Sequence, residues 1–79
     1  YPNPFNDILN VNVQAKNNIA ELTLEIFSLY GQKVASAQKK NSFGEIQFET
    51  DLSHLSSGMY LLIVSENGKQ VFSKKIIRN

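Results

Sequence analysis

One histidine, His54, stands among Asp51, Ser53, Ser56 and Ser57, the residue types of a hydrolytic triad. Triad members are assembled by the fold from separate chain positions, and the Gly-x-Ser-x-Gly spacing of a nucleophile elbow does not occur here. Serine, aspartate and histidine in a turn also bond their own backbone. The stretch reads as turn chemistry, and the chain as no enzyme. Asn3, Asn6, Asp7 and Asn10 offer oxygen atoms to a hard cation such as calcium. Only one of the four is charged and their spacing matches no ligand loop, so they read as turn and strand-face residues; no metal or cofactor is expected. The chain has no cysteine, which removes disulfides and thiolate metal sites. Its formal net charge of +1 makes no electrostatic case for nucleic acid. Phe27, Phe43, Phe48 and Phe72 lie at strand positions suited to a core, not to a base-stacking platform. The remaining chemical asymmetry is a gathering of Lys69, Lys74, Lys75 and Arg78 near the C-terminus, with Glu66 alone beside it. It reads either as an edge strand guarded by lysines against aggregation or as a recognition surface.

The elements that must place these residues centre on the last third of the chain. Two β-rich runs, Gly58–Glu66 and Lys69–Ile77, flank Asn67-Gly68, the signature of a two-residue type I′ hairpin. That turn sets Val64 opposite Val71, Ile63 opposite Phe72, Leu61 opposite Lys74, Tyr60 opposite Lys75 and Met59 opposite Ile76. The first run is apolar on both faces, so it reads as central or covered on both sides. Tyr60, Leu62, Val64 and Val71 are expected inward, because the other face carries Lys74 between its apolar residues.

Upstream, the prolines of Tyr1-Pro2-Asn3-Pro4-Phe5 impose an extended lead-in. Leu9, Val11 and Val13 alternate with Asn10 and Asn12, and Asn17-Asn18 reads as a turn. Ala20, Leu22, Leu24 and Ile26 form the next inward row, which Phe27 breaks as a bulge or a partly covered outer face. Leu29-Tyr30-Gly31-Gln32 is a turn with Gly31 in left-handed backbone. A short strand around Val34, a polar loop over Lys39–Ser42 and a strand holding Ile46 and Phe48 follow. Leu52 and Leu55 suit one short helical turn before Gly58. The sum is an all-β, single domain over residues 1–79: a small antiparallel β-sandwich of about six to seven short strands. Its expected core is Leu9, Val11, Leu22, Leu24, Ile26, Ile46, Phe48, Leu62 and Val64. No apolar run approaches the roughly 20 residues of a membrane helix. The chain opens on Tyr1 without a signal peptide, which reads as a fragment of a longer precursor.

Four pieces occur together and in order: Tyr1-Pro2-Asn3-Pro4-Phe5, Ile26-Phe27-Ser28-Leu29-Tyr30-Gly31-Gln32-Lys33-Val34, Leu55-Ser56-Ser57-Gly58-Met59-Tyr60, and Lys74-Lys75-Ile76-Ile77-Arg78. In them the chain resembles the C-terminal sorting domains of proteins exported by the type IX secretion system of Gram-negative bacteria. The resemblance implies an immunoglobulin-like sandwich that carries an N-terminal passenger domain through the periplasm and out through the outer membrane, to the cell surface or into the medium. It implies partners in the outer-membrane translocon, a shuttle protein and the cell-surface sortase, with attachment of the passenger to an anionic lipopolysaccharide or its release. By the same resemblance Pro2, Asn3 and Pro4 match the opening motif, Gly31 the mid-domain turn, Gly58 and Tyr60 the late strand motif, and Lys74, Lys75, Ile76 and Ile77 the terminal motif. A cationic and apolar terminal strand is suited to such a role, since charges orient a partner while apolar contacts hold it. An edge strand also offers backbone groups for β-augmentation. The competing function is an accessory adhesive or carbohydrate-binding module, for which Tyr30 and Tyr60 make a poor platform; a structural spacer is a third.

Overall fold

The computed structural model describes residues 7–78. Four antiparallel strands, β1 (Ile8–Ser28), β2 (Lys33–Asp51), β3 (Gly58–Glu66) and β4 (Lys69–Arg78), form one open sheet in the order β2-β1-β3-β4. The described residues thus hold four strands, two of them 21 and 19 residues long, in place of six to seven short ones. The difference arises because two turn signals do not reverse the chain. Asn17-Asn18 and Asn41-Ser42 lie across from one another inside a single hairpin. Ala15 pairs with Gly44 and Ile19 with Ser42, so Lys16, Asn17 and Asn18 stand against Phe43 alone. Unequal residue numbers on paired strands bend them and re-aim their side chains. Asn41 (φ 51°) and Gly44 (φ 79°) adopt the left-handed backbone that this bend requires of β2, which Asn and Gly tolerate better than other residues. The inward row of β1 keeps its parity through the unpaired three, from Leu9, Val11 and Ala15 to Ile19, and changes it just beyond, before Leu22, Leu24 and Ile26. Ala20, expected inward, falls at that change, where Ile19 pairs with Ser42 and Glu21 with Lys40 around the left-handed Asn41, and it is exposed.

Beyond the bend, β1 pairs with β3 over Leu22–Ser28; before it, β1 pairs only with β2. The buried residues of both halves nevertheless form one apolar cluster. Leu9, Val11, Ile46 and Phe48 of the outer half meet Leu22, Leu24 and Ile26 of the inner half, and Leu62, Val64 and Ile76 of the C-terminal hairpin. The long hairpin therefore folds back over the inner strands. Lys39 spans the bend: its Nζ donates to the Gln47 carbonyl at 2.6 Å and lies 5.5 Å from the centre of the Phe48 ring. All nine residues expected in the core are buried, and Ala15, Ile19, Leu52, Tyr60 and Ile76 join them. Truncating a fully buried member such as Leu62 to Ala removes about 2–5 kcal/mol from a domain of this kind. Two of the four phenylalanines read as core residues are exposed instead. Phe43 is 68% exposed as the lone residue opposite the three at the bend; Phe72 shares the inward face of its pairing partner Val64 but is 37% exposed on β4, the outermost described strand.

The C-terminal hairpin turns at Asn67 (φ 53°) and Gly68 (φ 84°), both left-handed as a type I′ turn demands. Asn67 also ties the turn to β1, donating its N–H to the Glu21 carbonyl (2.7 Å) while its Oδ1 accepts from the Glu21 N–H (3.0 Å). The register expected from the turn holds at Ser65–Gln70 and then slips by one residue at Val71. Val64 pairs with Phe72, Leu62 with Lys74, Leu61 with Lys75, Tyr60 with Ile76 and Met59 with Ile77. Because side chains alternate, that bulge exchanges the two faces of β4. Tyr60, Leu62 and Val64 point inward as expected, but Val71 is exposed and Ile76 takes the inward place. Between β2 and β3, the expected helical turn is a tight turn closed by Leu55 N–H on the Leu52 carbonyl at 3.0 Å. Leu52 is fully buried and Leu55 half-buried.

Gly68→Val tests the turn. A β-branched residue resists positive φ, and forcing it costs on the order of 1–3 kcal/mol. Chemical denaturation should show a lower unfolding midpoint with an unaltered slope; an unchanged midpoint would mean that the turn is not held in this geometry.

Candidate functional site

Among the described residues, those that carry the ordered motifs, Gly31, Gly58, Tyr60 and the terminal run, converge at one end of the sheet. Ser28, which closes β1, pairs with Tyr60; Tyr60 pairs with Ile76, and Gly58 with Arg78. The turn holding Gly31 (φ 86°) follows directly, closed by Gly31 N–H on the Ser28 carbonyl (3.0 Å) and Ser28 N–H on the Gln32 carbonyl (2.8 Å). Ser28 Oγ accepts from the backbone N–H of Tyr30 and Gln32, at 3.2 and 3.3 Å. Gly58 enters β3 at φ 145°, a value that L side chains rarely adopt. Tyr60 buries its ring and donates its hydroxyl to the Ser56 carbonyl at 2.7 Å. Segments some fifty positions apart thus share one end, which presents Tyr30 almost wholly to solvent.

The terminal run divides between core and surface. Ile76 is fully buried against Tyr60, whereas Ile77 is partly exposed opposite Met59. Lys74 and Lys75 are both exposed and project to opposite faces of β4. Arg78 does not join the solvated lysines with which the sequence groups it. Its Nε donates to the Leu52 carbonyl (3.0 Å), and its Nη2 reaches the Ser53 carbonyl (3.2 Å) and Asp7 Oδ1 (3.0 Å), with its side chain only 12% exposed. The guanidinium therefore closes the end of β4 onto the start of β1 and onto the β2–β3 connection. Nothing in residue spacing announces that contact. A groove on the outer face of the sheet, about 340 Å³, is lined by Phe27, Leu29, Leu61, Ile63 and Lys75 among others.

The group around His54 behaves as turn chemistry. Asp51 Oδ1 accepts from the Ser53 N–H at 2.9 Å. That bond, the Ser53 side chain, and attraction from His54 and Arg78 hold the Asp51 carboxyl below its ordinary value. Among the described residues no group of three or more His, Cys, Asp or Glu is placed to hold a metal ion.

The family model for the secretion system C-terminal sorting domain matches residues 1–79. The chain belongs to that family. No curated protein and no solved structure matches it. The sorting domain is a C-terminal signal for type IX secretion, which disfavours the adhesive or carbohydrate-binding alternative. It marks a secreted or cell-surface protein and interacts with the type IX secretion machinery. The family is one of sorting signals, not one known for enzymes. No helix among the described residues is long and apolar enough to cross a membrane. Of the motif positions, Pro2, Asn3 and Pro4 lie outside the described residues, as does the rest of the lead-in through Asn6.

Two substitutions separate the parts of the Arg78 contact. Arg78→Ala strips charged donors from two carbonyls and should cost about 1.5–3 kcal/mol. Asp7→Asn weakens only a bond to a carboxylate that is 68% exposed, and should cost at most ~1 kcal/mol, less at high salt. Equal losses in denaturant titrations would refute this division.

Asp51 supplies a pH test. Its folded-state pKa lies below the ordinary 3.8, so its contribution is full above that value and fades as pH falls through the folded one. The stability gap between the parent and Asp51→Ala should therefore narrow below about pH 3.8. A gap that widens on acidification would contradict the direction of the shift.

Proposed function

We propose that the terminal hairpin β3–β4 is the decisive part of this export address, and that residues 1–79 act as one domain behind an N-terminal passenger. The observation that carries this reading is the way the terminal run splits. Ile76 anchors the strand in the core, while Lys74, Lys75 and Ile77 stay outside, positioned by that anchor. Gly58 and Tyr60 set the start of β3 against the same run, and Gly31 shapes the neighbouring turn. Pro2, Asn3 and Pro4, which match the family's opening motif, complete the proposed address on the passenger side.

In this proposal a Gram-negative cell delivers the passenger through the periplasm, a shuttle protein and the outer-membrane translocon read the folded domain, and a cell-surface sortase attaches or releases the passenger. The apolar cluster shared by both halves of the bent hairpin supports an immunoglobulin-like, sandwich-type arrangement made from one sheet. Such a body would present the terminal strand in one fixed orientation.

Fusion of the domain to a reporter enzyme, in a bacterium carrying the system, tests the assignment. Lys74→Ala with Lys75→Ala removes two exposed charges worth at most ~1 kcal/mol each to stability. Surface-delivered activity should drop about tenfold, the ratio that ~1.4 kcal/mol of lost affinity sets. A chain ending at Ser73 should fail as well, with its folding checked by circular dichroism. If the folded double variant exports like the parent, the two lysines are not read. Undiminished export with the whole domain removed would overturn the sorting role itself.

A further inference from the structure

The outer face of the sheet, turned away from Leu24 and Leu62, is graded along its strands. Thr23 stands between Gln38 and Ser65, Glu25 between Ser36 and Ile63, and Phe27 between Lys33 and Leu61, with Lys75 beyond. Nearer the turn, Met59 faces Ile77. The rows run from polar to apolar. A solvated face of an antiparallel sheet ordinarily carries polar residues. Here Leu29, Met59 and Ile77 are 62%, 41% and 41% exposed, and Phe27, Leu61 and Ile63 are only half-buried. Although β3 lies between two strands, its second apolar face remains open, and a contiguous apolar patch with a polar rim is the mark of an interaction surface.

The rim indicates what covers it. Lys33 and Lys75, both exposed, flank the row of Phe27 and Leu61 on opposite sides. The carboxylate in these rows, Glu25, is already bridged to Lys33 at 3.4 Å. The face therefore offers apolar contact with a net cationic border. A second copy in two-fold contact would set one lysine rim against the other, which is unfavourable. Phe27, the largest apolar side chain of these rows, is half-buried and so offers a lipid surface only part of its ring.

We propose that this face is where the secretion machinery docks, through a protein segment bearing apolar side chains with carboxylates beside them. The proposal rests on the sorting role and adds a site and a partner chemistry to it. Apolar contact at Leu61 and Ile63 holds the partner, and the lysines set its orientation and speed its approach.

The test uses the reporter fusion with Leu61→Ser and Ile63→Ser together, and separately with Lys75→Glu. Each is expected to lower export about tenfold while circular dichroism and melting show a folded domain. Phe43→Ser, at the exposed bend away from this face, should stay within about twofold of the parent. Parent-level export by the folded double serine variant would overturn the docking site, and parent-level export by Lys75→Glu would overturn the acidic partner. Sedimentation of the 79-residue chain as a dimer that the serine variant abolishes would assign the face to a second copy instead. Binding to anionic phospholipid vesicles, lost in the same variant, would assign it to lipid. A melting loss as large as that of Leu62→Ala would mean that the chain covers the face itself. Failure of the sorting role shows separately, as export that survives removal of the whole domain.

Discussion

The bend in the long hairpin is the constraint on which the rest of the structure depends. A sheet of four strands cannot shield both its faces, and a chain of this length without cysteine has no covalent staple to compensate. Setting Lys16, Asn17 and Asn18 against Phe43 lets β1 and β2 bend while remaining continuous, and the inward row of β1 changes parity just beyond, between Ile19 and Leu22. The outer half of the hairpin then becomes the cover that the inner half needs. Leu9, Val11 and Phe48 reach the same cluster as Leu24, Leu62 and Ile76 only through this folding back. Asn41 and Gly44 make the geometry affordable at the backbone, and Lys39 holds the two sides together through Gln47 and Phe48.

A second consequence concerns the terminal strand, which belongs to the core and to the surface at once. Ile76 completes the apolar cluster, and Arg78 closes the strand onto Leu52, Ser53 and Asp7. Lys74, Lys75 and Ile77 are presented only because those two residues are held. A partner that reads the exposed side chains is therefore also reading whether β4 has docked. On the proposed function, an export address of this kind reports the folded state of its own domain.

β3 carries a related division. Tyr60, Leu62 and Val64 face the cluster, whereas Met59, Leu61 and Ile63 form the middle of the graded outer face. The Glu25–Lys33 pair lies at one edge of that face and exposed Lys75 at the other, with the apolar rows between them. The hairpin turn, far from these rows, is pinned by the reciprocal bonds of Asn67 and Glu21, so the strand is fixed at both ends.

The sequence by itself determined what depends on short-range rules. Period-two alternation named Leu9, Val11, Leu22, Leu24, Ile26, Ile46, Phe48, Leu62 and Val64 as core, and all are buried. Asn67-Gly68 and Gly31 announced their left-handed turns, because few residues accept positive φ. Four ordered motifs announced the family. Tertiary structure decided the rest. Asn17-Asn18 looks the same in sequence whether it reverses the chain or bends a paired strand, and only the pairing of β1 with β2 chooses. A one-residue bulge at Val71 exchanged the faces of β4, replacing Val71 by Ile76 in the core, because in a strand each single-residue slip inverts every following side chain. Arg78 found Asp7 71 positions away, a contact without any local signal. The apolar run of β3 was legible as a central strand with Tyr60, Leu62 and Val64 inward, and it is one; that Met59, Leu61 and Ile63 on its other face stay partly exposed was settled only by the tertiary structure, because one long hairpin folding back covers one side of the sheet.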